Sequence, residues 1–467
     1  MALTNTASTP TEIGNTLFTR RRLFFIGIGG IHMCALAIIA KERGFTVAGS
    51  DVAEGENTAT LRAAGIPVFR GHAAEHVVGF DAVIYTLAIA ADNPEYQTAK
   101  RLGLPLFSRA DFLGYLLHGY RHRIGIAGSH GKSTTTAMLG EILSTAGLSP
   151  TVICGARMRR TASSFTVGSG PHCVYEACEY GNSFFRLPPT LAVILNTELD
   201  HVDFFKSREM LLASFAQFAA TADTVLLPYG DTALQALLKG NQAEYTFGTV
   251  DGADYSATDL YLQNGVARFT LLLRGAPAGH LTLRVPGLHN VKNALAAAAA
   301  AHLFGVSGAA ITAGLAAFRG IARRMEYRGL LCGARVFDDY AHHPTEITAS
   351  LAAARALCGS GRLFVLFQSH TYSRTAAFFH EIAAALRTAD RVLLTSIYPA
   401  REVNILGVSE AALAKAIGEH AAFELDLASI AAALEKELLP NDLLVVMGAG
   451  DVSRIFTHFS KKHFTTP

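Results

Sequence analysis

Four residues at the head of one helix carry the strongest chemical signal in this chain. In GIAGSHGKSTTTAMLGEIL, residues 125–143, an apolar strand feeds a glycine turn, and Gly128, Gly131, Lys132 and Ser133 then open a helix. Backbone N–H groups at such a turn converge on one place, and the helix N-terminus adds about half a positive charge. Ser129, His130 and Thr134 complete the loop. Lys132 can reach β- and γ-phosphate oxygens from there, and the Ser133 hydroxyl can ligate Mg²⁺. The longer form of this loop carries an additional glycine where this chain has Ile126, so the motif is the short GxxGK[ST] type.

A phosphate loop of this kind needs metal ligands from neighbouring strands. The apolar strand 173–177 runs into EACEY, which sets Glu179 just past its carboxyl end. The strand 190–195 runs into NTELDH, which sets Asp200 and His201 at the same edge. Open α/β sheets hold their ligands at that edge. Acidic groups and a histidine there suit one or two Mg²⁺ ions bridging nucleotide and substrate. Each residue alone would pass for a loop or cap residue, but two such clusters downstream of one phosphate loop point to a metal role.

A second glycine loop, GIGGIH at 27–32, follows strand 23–28 and enters a helix. Asp51 closes the next strand, at roughly the 20-residue spacing where an acidic side chain meets a ribose hydroxyl. His32 stands where the third glycine of this fingerprint belongs. The element suits NAD or the diphosphate of another nucleotide conjugate. Hydride chemistry would leave the phosphate loop and the metal cluster with no job, so a nucleotide diphosphate is the better reading. A regulator that only binds nucleotide would be expected to have lost Lys132 or the acidic cluster, and both are present.

The elements that must position these groups alternate between strand and helix. The first stretch has strands at 23–28, 45–49 and 82–86 and a helix near 109–117. The second has strands at 123–127, 173–177 and 190–195, a helix at 208–220, a β-rich part at 254–285 and a helix from His289. The third has strands at 334–338, 362–367, 391–396 and 443–447, separated by Ala-rich helices. This alternation predicts α/β domains with parallel sheets covered on both faces. Three domains follow: 1–119, 120–321 and 322–467.

Composition excludes several other classes. Half the residues are hydrophobic and only 17% are charged, so the chain is globular rather than disordered. A net charge of +2 gives no field that would select nucleic acid or a membrane as partner. Six scattered cysteines without a CxxC pair argue against a disulfide framework or a structural zinc site, and suit reduced thiols in a cytoplasmic enzyme. The first twenty residues are polar and lack the apolar core of a signal peptide. The apolar run LFFIGIGGIHMCALAIIA is broken by glycines where a strand turns into a helix, and the alanine run 294–301 is cut short by His302. No membrane span is predicted.

Taken together, these segments resemble the Mur ligase family, which builds the peptide of bacterial peptidoglycan, along nearly the whole chain. GIAGSHGKSTT resembles the family's ATP loop, and EACEYGNSF with ILNTELDHVDFF its metal segments. PGLHNVKNALAA at 286–297 is similar to its adenine segment, and RRMEYRG at 323–329 to its inter-domain arginine. DDYAHHPTEI at 338–347, QSHTYSRT at 368–375, GIGGIHM and the GSD ending at Asp51 are most similar to the member that adds L-alanine to UDP-N-acetylmuramate. A recycling member that attaches a whole tripeptide to the same sugar nucleotide is the nearest alternative.

The resemblance implies a Rossmann-like N-terminal domain for the UDP-sugar, a central P-loop ATPase-type α/β domain and a Rossmann-like C-terminal domain for the amino acid. It implies ATP and Mg²⁺ as cofactors, an acyl-phosphate intermediate, and a monomer or homodimer working in the cytoplasm. It places the reaction in cell-wall biogenesis, on which cell shape and division depend. Lys132 would neutralise phosphates, Ser133 and Glu179 would hold one Mg²⁺, and His201 a second. Arg324 would reach the γ-phosphate, and Asn290 and Asn293 would read the adenine. Tyr340, His342 and Arg374 would position the alanine, and Gly27, Gly29, Gly30 and Asp51 the UDP moiety. Four positions depart from the family pattern. His32 replaces a small residue, Cys178 an aspartate and Ser369 a proline, and Ala216 lies near where several members carbamylate a lysine.

Overall fold

The computed structural model describes residues 10–238, 243–400 and 402–466. Residues 1–9 of the polar N-terminal stretch lie outside that range. Each of the three stretches builds its own sheet. The first comprises β1 (Arg22–Ile26), β2 (Thr46–Asp51), β3 (Val68–Arg70), β4 (Ala82–Tyr85) and β5 (Leu106–Ser108), all parallel, in the order β3-β2-β1-β4-β5. β1 reads as a continuous apolar run because both of its faces are covered. The order reverses beside β1, and the Gly27–Gly30 turn leaves its carboxyl end there, the usual ligand crevice of such sheets.

The second sheet has ten strands: β6 (His122–Ala127), β7 (Thr151–Met158), β8 (Ser163–Thr166), β9 (His172–Glu176), β10 (Leu191–Ile194), β11 (Thr224–Pro228), β12 (Ala243–Phe247), β13 (Tyr255–Gln263), β14 (Val266–Leu273) and β15 (Ala276–Pro286). Their order is β15-β14-β13-β12-β11-β10-β6-β9-β7-β8. Here the expectation of parallel sheets needs correction. β6, β7 and β9 to β13 pair in parallel, but β13, β14 and β15 form an antiparallel meander and β8 returns antiparallel to β7. The cause is local. Asn264-Gly265 and Arg274-Gly275 are two-residue turns with both φ values positive, the geometry that folds a strand back on its neighbour.

The third sheet comprises β16 (Glu326–Leu331), β17 (Ala334–Asp339), β18 (Leu363–Phe367), β19 (Arg391–Leu394), β20 (Ala421–Phe423), β21 (Leu443–Met447) and β22 (Phe464–Thr465), in the order β20-β19-β18-β21-β17-β16-β22. Its parallel centre is closed at one edge by antiparallel β16 and β22. The chain is thus a three-domain α/β protein. No helix among the described residues is long and apolar enough to cross a membrane.

The alanine run sits in the helix Leu288–Leu303, and all eight residues 294–301 are fully buried. That helix packs on the phosphate-loop helix Lys132–Thr145 and on the antiparallel strands, a close layer in which all of these residues but Leu295 carry only a methyl group. Ala297→Leu should therefore overpack this layer and cost about 1–3 kcal/mol. A urea midpoint equal to wild type would contradict that packing.

Candidate functional site

Most of the groups singled out in the second and third domains stand at the carboxyl end of a parallel strand or in a helix beside one; Arg324 instead precedes β16. β6 delivers the phosphate loop, β9 leads to Glu179, β10 to Asp200 and His201, β17 to Tyr340 and His342, and β18 to Arg374. The loop needs glycine at two points. Gly128 has φ +131° and a Cβ there would meet Leu195 at 3.0 Å; Gly131 has φ +86° and a Cβ would lie 2.5 Å from Asn293 Oδ1. Gly131 caps the helix that begins at Lys132, so the glycine turn stands directly at the helix N-terminus.

Lys132 Nζ donates to both carboxylate oxygens of Glu179, at 3.1 and 3.0 Å. Burial opposes both charges, yet each holds the other ionised: the lysine pKa is raised and the glutamate pKa is lowered. His201 Nε2 stands 3.5 Å from Glu179 Oε1, and its backbone is left-handed at φ +51°. Strain of that kind in a β-branch-free but non-glycine residue persists only where surrounding contacts over-determine it. Ser133 lines the same cleft as Lys132 and His201.

The cleft, about 1130 Å³, gathers Lys132, Ser133, His201, Arg324, Tyr340, His342 and Arg374 from the second and third domains. Asn290, Asn293 and Thr134 face a second cavity of about 530 Å³, which shares His130, Gly131, Arg324 and Glu346 with the first. Asn293 Nδ2 donates to Asn290 Oδ1 at 3.1 Å, and Asn290 Nδ2 to the Pro286 carbonyl at 2.7 Å. The glycine loop of the first domain reaches the cleft through Ile31 and His32. Gly29 and Asp51 line a neighbouring cavity of about 600 Å³ that shares Ile31, Glu56 and Arg157 with the cleft. Asp51 Oδ2 accepts the Gly29 N–H at 2.9 Å, Gly27 takes φ +77°, and Gly30 caps the helix Ile31–Glu42.

Two acidic residues shape the site without having been assigned a role from sequence, and a third, Asp200, takes a different one from that expected. Glu346, one turn into the helix Pro344–Cys358, accepts from Arg324 Nη1 at 3.0 Å and lies 3.4 Å from His130 Nδ1. Asp339 accepts the Met325 and Ala341 N–H groups at 2.7 and 2.8 Å and so bends the Tyr340–His342 turn. Asp200, expected beside His201 as part of the metal edge, instead receives Arg374 Nε and Nη2 on Oδ1 at 3.1 and 2.7 Å. Burial works against its charge, but Arg374 outweighs burial and holds the carboxyl below its usual range. Helix periodicity alone marks Glu346 as an ordinary first-turn acid, so no sequence signal separated it.

Tyr340 lies under two guanidinium groups, with Arg323 and Arg324 at 4.8 and 5.3 Å from its ring centre. His342 Nδ1 is 2.9 Å from the Tyr340 carbonyl, which can only accept, so the proton sits on Nδ1 and the Nε2 lone pair is free. Burial, with Arg374 adding to it, pushes His342 down to about 4. Two of the family departures find local partners. Ser369 and Thr375 share a 2.6 Å hydroxyl contact, and buried His32, pushed down to about 4 by burial and by Arg109, is neutral with Arg109 Nη1 at 3.4 Å. Cys178 is a half-buried thiol raised by desolvation, and all six cysteines are free.

His130, Glu198 and His343 bring ligand-type atoms within 4.8 Å of one another. Burial disfavours charge on His130, but Glu346 and Glu198 overcome it and raise the imidazole to about 9, so it carries both protons. The Thr345 N–H points at His343 Nδ1 at 3.4 Å, leaving the proton on Nε2. His130 therefore acts as a cation joining the phosphate loop to Glu346 of the third domain. Because its pKa rises from 6.5 to about 9 on folding, this stabilisation is complete below about 6.5 and is lost as pH climbs through about 9. Between pH about 7 and about 9.5 the melting temperature of the wild type should fall more steeply than that of His130→Gln. Equal slopes would refute the assignment.

Comparisons with known proteins agree along the chain. Residues 22–121 match the Mur ligase family catalytic domain, residues 126–301 the Mur ligase middle domain, and residues 323–450 the Mur ligase glutamate ligase domain. The chain is 40% identical over 449 residues to a UDP-N-acetylmuramate–L-alanine ligase of Caldicellulosiruptor bescii, covering 94% of this chain and 98% of that protein. It is 42% identical over 449 residues to the ligase of the same name from Lachnospira eligens, covering 93% and 96%. The crystal structure of a Thermotoga maritima UDP-N-acetylmuramate–alanine ligase superposes with a TM-score of 0.80 at 30% identity, over 94% of this chain and 98% of that one. A murein peptide ligase from Psychrobacter arcticus gives 0.72 at 26%, over 94% and 97%. With three family domains in sequence order and identity this high over almost the full length, the chain belongs to the Mur ligase family.

Proposed function

We propose that this chain joins L-alanine to the carboxylate of UDP-N-acetylmuramate at the expense of ATP, through an acyl phosphate, in peptidoglycan precursor synthesis. The observation that carries the reading is the single cleft in which Lys132 and His201 of the second domain face Tyr340, His342 and Arg374 of the third. Relatives named for L-alanine addition favour alanine over a tripeptide, whose ligase is the more distant match. Divisions near residues 119 and 321 belong to the same proposal, as does a cytoplasmic site of action, with which six free thiols accord.

In this reading the sugar carboxylate attacks the γ-phosphorus of ATP, ADP leaves, and the alanine amine attacks the acyl carbon and expels phosphate. Carboxylate and triphosphate repel each other, so cations are the physical requirement. Lys132 and the N–H groups from Gly128 to Thr134 take the phosphates, and Arg324 reaches the γ-phosphate from the third domain. Asn290 and Asn293 read the adenine. Gly27, Gly29, Gly30 and Asp51 hold the UDP moiety. The donor set suits Mg²⁺: the buried Glu179 carboxylate, with the Ser133 hydroxyl and the His201 imidazole facing the cleft beside it, is a mostly hard-oxygen cradle whose negative charge Lys132 alone offsets. Magnesium held there would withdraw charge from the phosphate oxygens. Tyr340, His342 and Arg374 hold the amino acid, with the His342 Nε2 lone pair an acceptor for its amine.

The direct test supplies UDP-N-acetylmuramate, ATP and Mg²⁺ with L-alanine, glycine, L-serine or tripeptide in turn. Phosphate release should be fastest with L-alanine; equal rates would remove the substrate assignment. Lys132→Ala should reduce ATP turnover by about a hundredfold or more while UDP-sugar binding persists. Loss of both together would mean that the site is misplaced. Arg374→Ala should act mainly on the KM for the amino acid.

A further inference from the structure

The guanidinium of Arg374 has five N–H groups and no acceptor. Three of them are engaged. Nε and Nη2 each donate to Asp200 Oδ1, at 3.1 and 2.7 Å, and Nη1 donates to His370 Nδ1 at 3.1 Å. Because a guanidinium only donates, His370 Nδ1 is a lone pair and contributes no charge. Among the described residues nothing takes the remaining N–H on Nη1 or the one on Nη2, and two such N–H groups can meet the two oxygens of a carboxylate. Asp200 and Arg374 are 5% and 7% exposed, so water does not do this aligning.

The aligning partner comes from a different domain. Asp200 follows β10, whereas Arg374 follows β18. Asp200 Oδ1 also accepts the His201 N–H at 2.7 Å. One oxygen atom therefore ties the backbone of His201, next to Glu179 and Lys132, to the side chain that faces the amino-acid end of the cleft. Among the described residues of its own domain, the hydrogen-bond partner of the Arg374 guanidinium is neutral His370.

We infer that Asp200 is a positioning residue for the amino-acid site, aiming the two free N–H groups of Arg374 at the carboxylate of the incoming amino acid and making that anchor only when the second and third domains are together. The inference rests on the proposed role of Arg374 as that anchor. It makes Asp200 matter as a hydrogen-bond acceptor, since a second negative charge near the substrate carboxylate would by itself repel it.

The test is steady-state kinetics on the full-length enzyme with L-alanine and with L-alaninamide, which lacks the carboxylate. Asp200→Ala should raise the KM for L-alanine by about tenfold or more while the KM for ATP stays within about threefold. Asp200→Asn, which keeps an acceptor oxygen, should recover most of that loss. In an Arg374→Ala background, where no guanidinium is left to aim, Asp200→Ala should add nothing further. An unchanged alanine KM in Asp200→Ala, an ATP KM that rises in parallel, an Asn variant as impaired as Ala, or additive effects in the double variant would each overturn the inference. Failure of the underlying reading looks different: wild type would use L-alaninamide as well as L-alanine, and Arg374→Ala would leave the alanine KM unchanged. The double-variant comparison leaves no lone buried arginine, so it stays informative if Asp200→Ala alone folds poorly.

Discussion

Anions do not gather without compensating charge, and the architecture of this chain is organised around that constraint. The buried contact between Lys132 and Glu179 is its centre. Neither charge would be stable alone at that depth, because taking an ion from water costs several kcal/mol that only a close counter-ion offsets. Around the pair, Arg324 leans on Glu346, His130 on Glu198 and Glu346, and Arg374 on Asp200. Each cation is held by an acid in a place where phosphate or carboxylate can take over part of its bonding.

These pairs also explain how sheets from separate stretches of chain form one site. Glu346 belongs to the third domain and His130 to the second; Asp200 belongs to the second and Arg374 to the third. The ion pairs cross the boundary between the domains. Some strained residues lie there too: His201, Arg323 and Thr371 all have positive φ, and each is adjacent to or near a charged member of these pairs. Backbone strain of about 1–3 kcal/mol per residue is tolerated where it fixes the direction of a functional side chain.

What could be read beforehand was whatever repeats at short range. The phosphate loop, the strands that precede Glu179 and His201, and the helix carrying the alanine run all have local signatures, and their elements lie where hydrophobic periodicity and glycine turns put them. The reversal of β13, β14 and β15 is equally local, since the Asn264-Gly265 turn, rather than the alternation of strands, decides direction there. Contacts between distant segments are another matter. Nothing in the spacing of NTELDH and HTYSRT says that Asp200 meets Arg374, because tertiary pairing has no period. Glu346 was invisible for the same reason.

The two cavities on either side of the phosphate loop meet along His130, Gly131, Arg324 and Glu346. A compound seated in the smaller one has its end within reach of the larger, so two weak fragments joined by a short tether would surrender their freedom of movement once rather than twice. The common wall thus makes this enzyme a natural receptor for bivalent inhibitors, and the residues of that wall are the ones such a tether would have to pass.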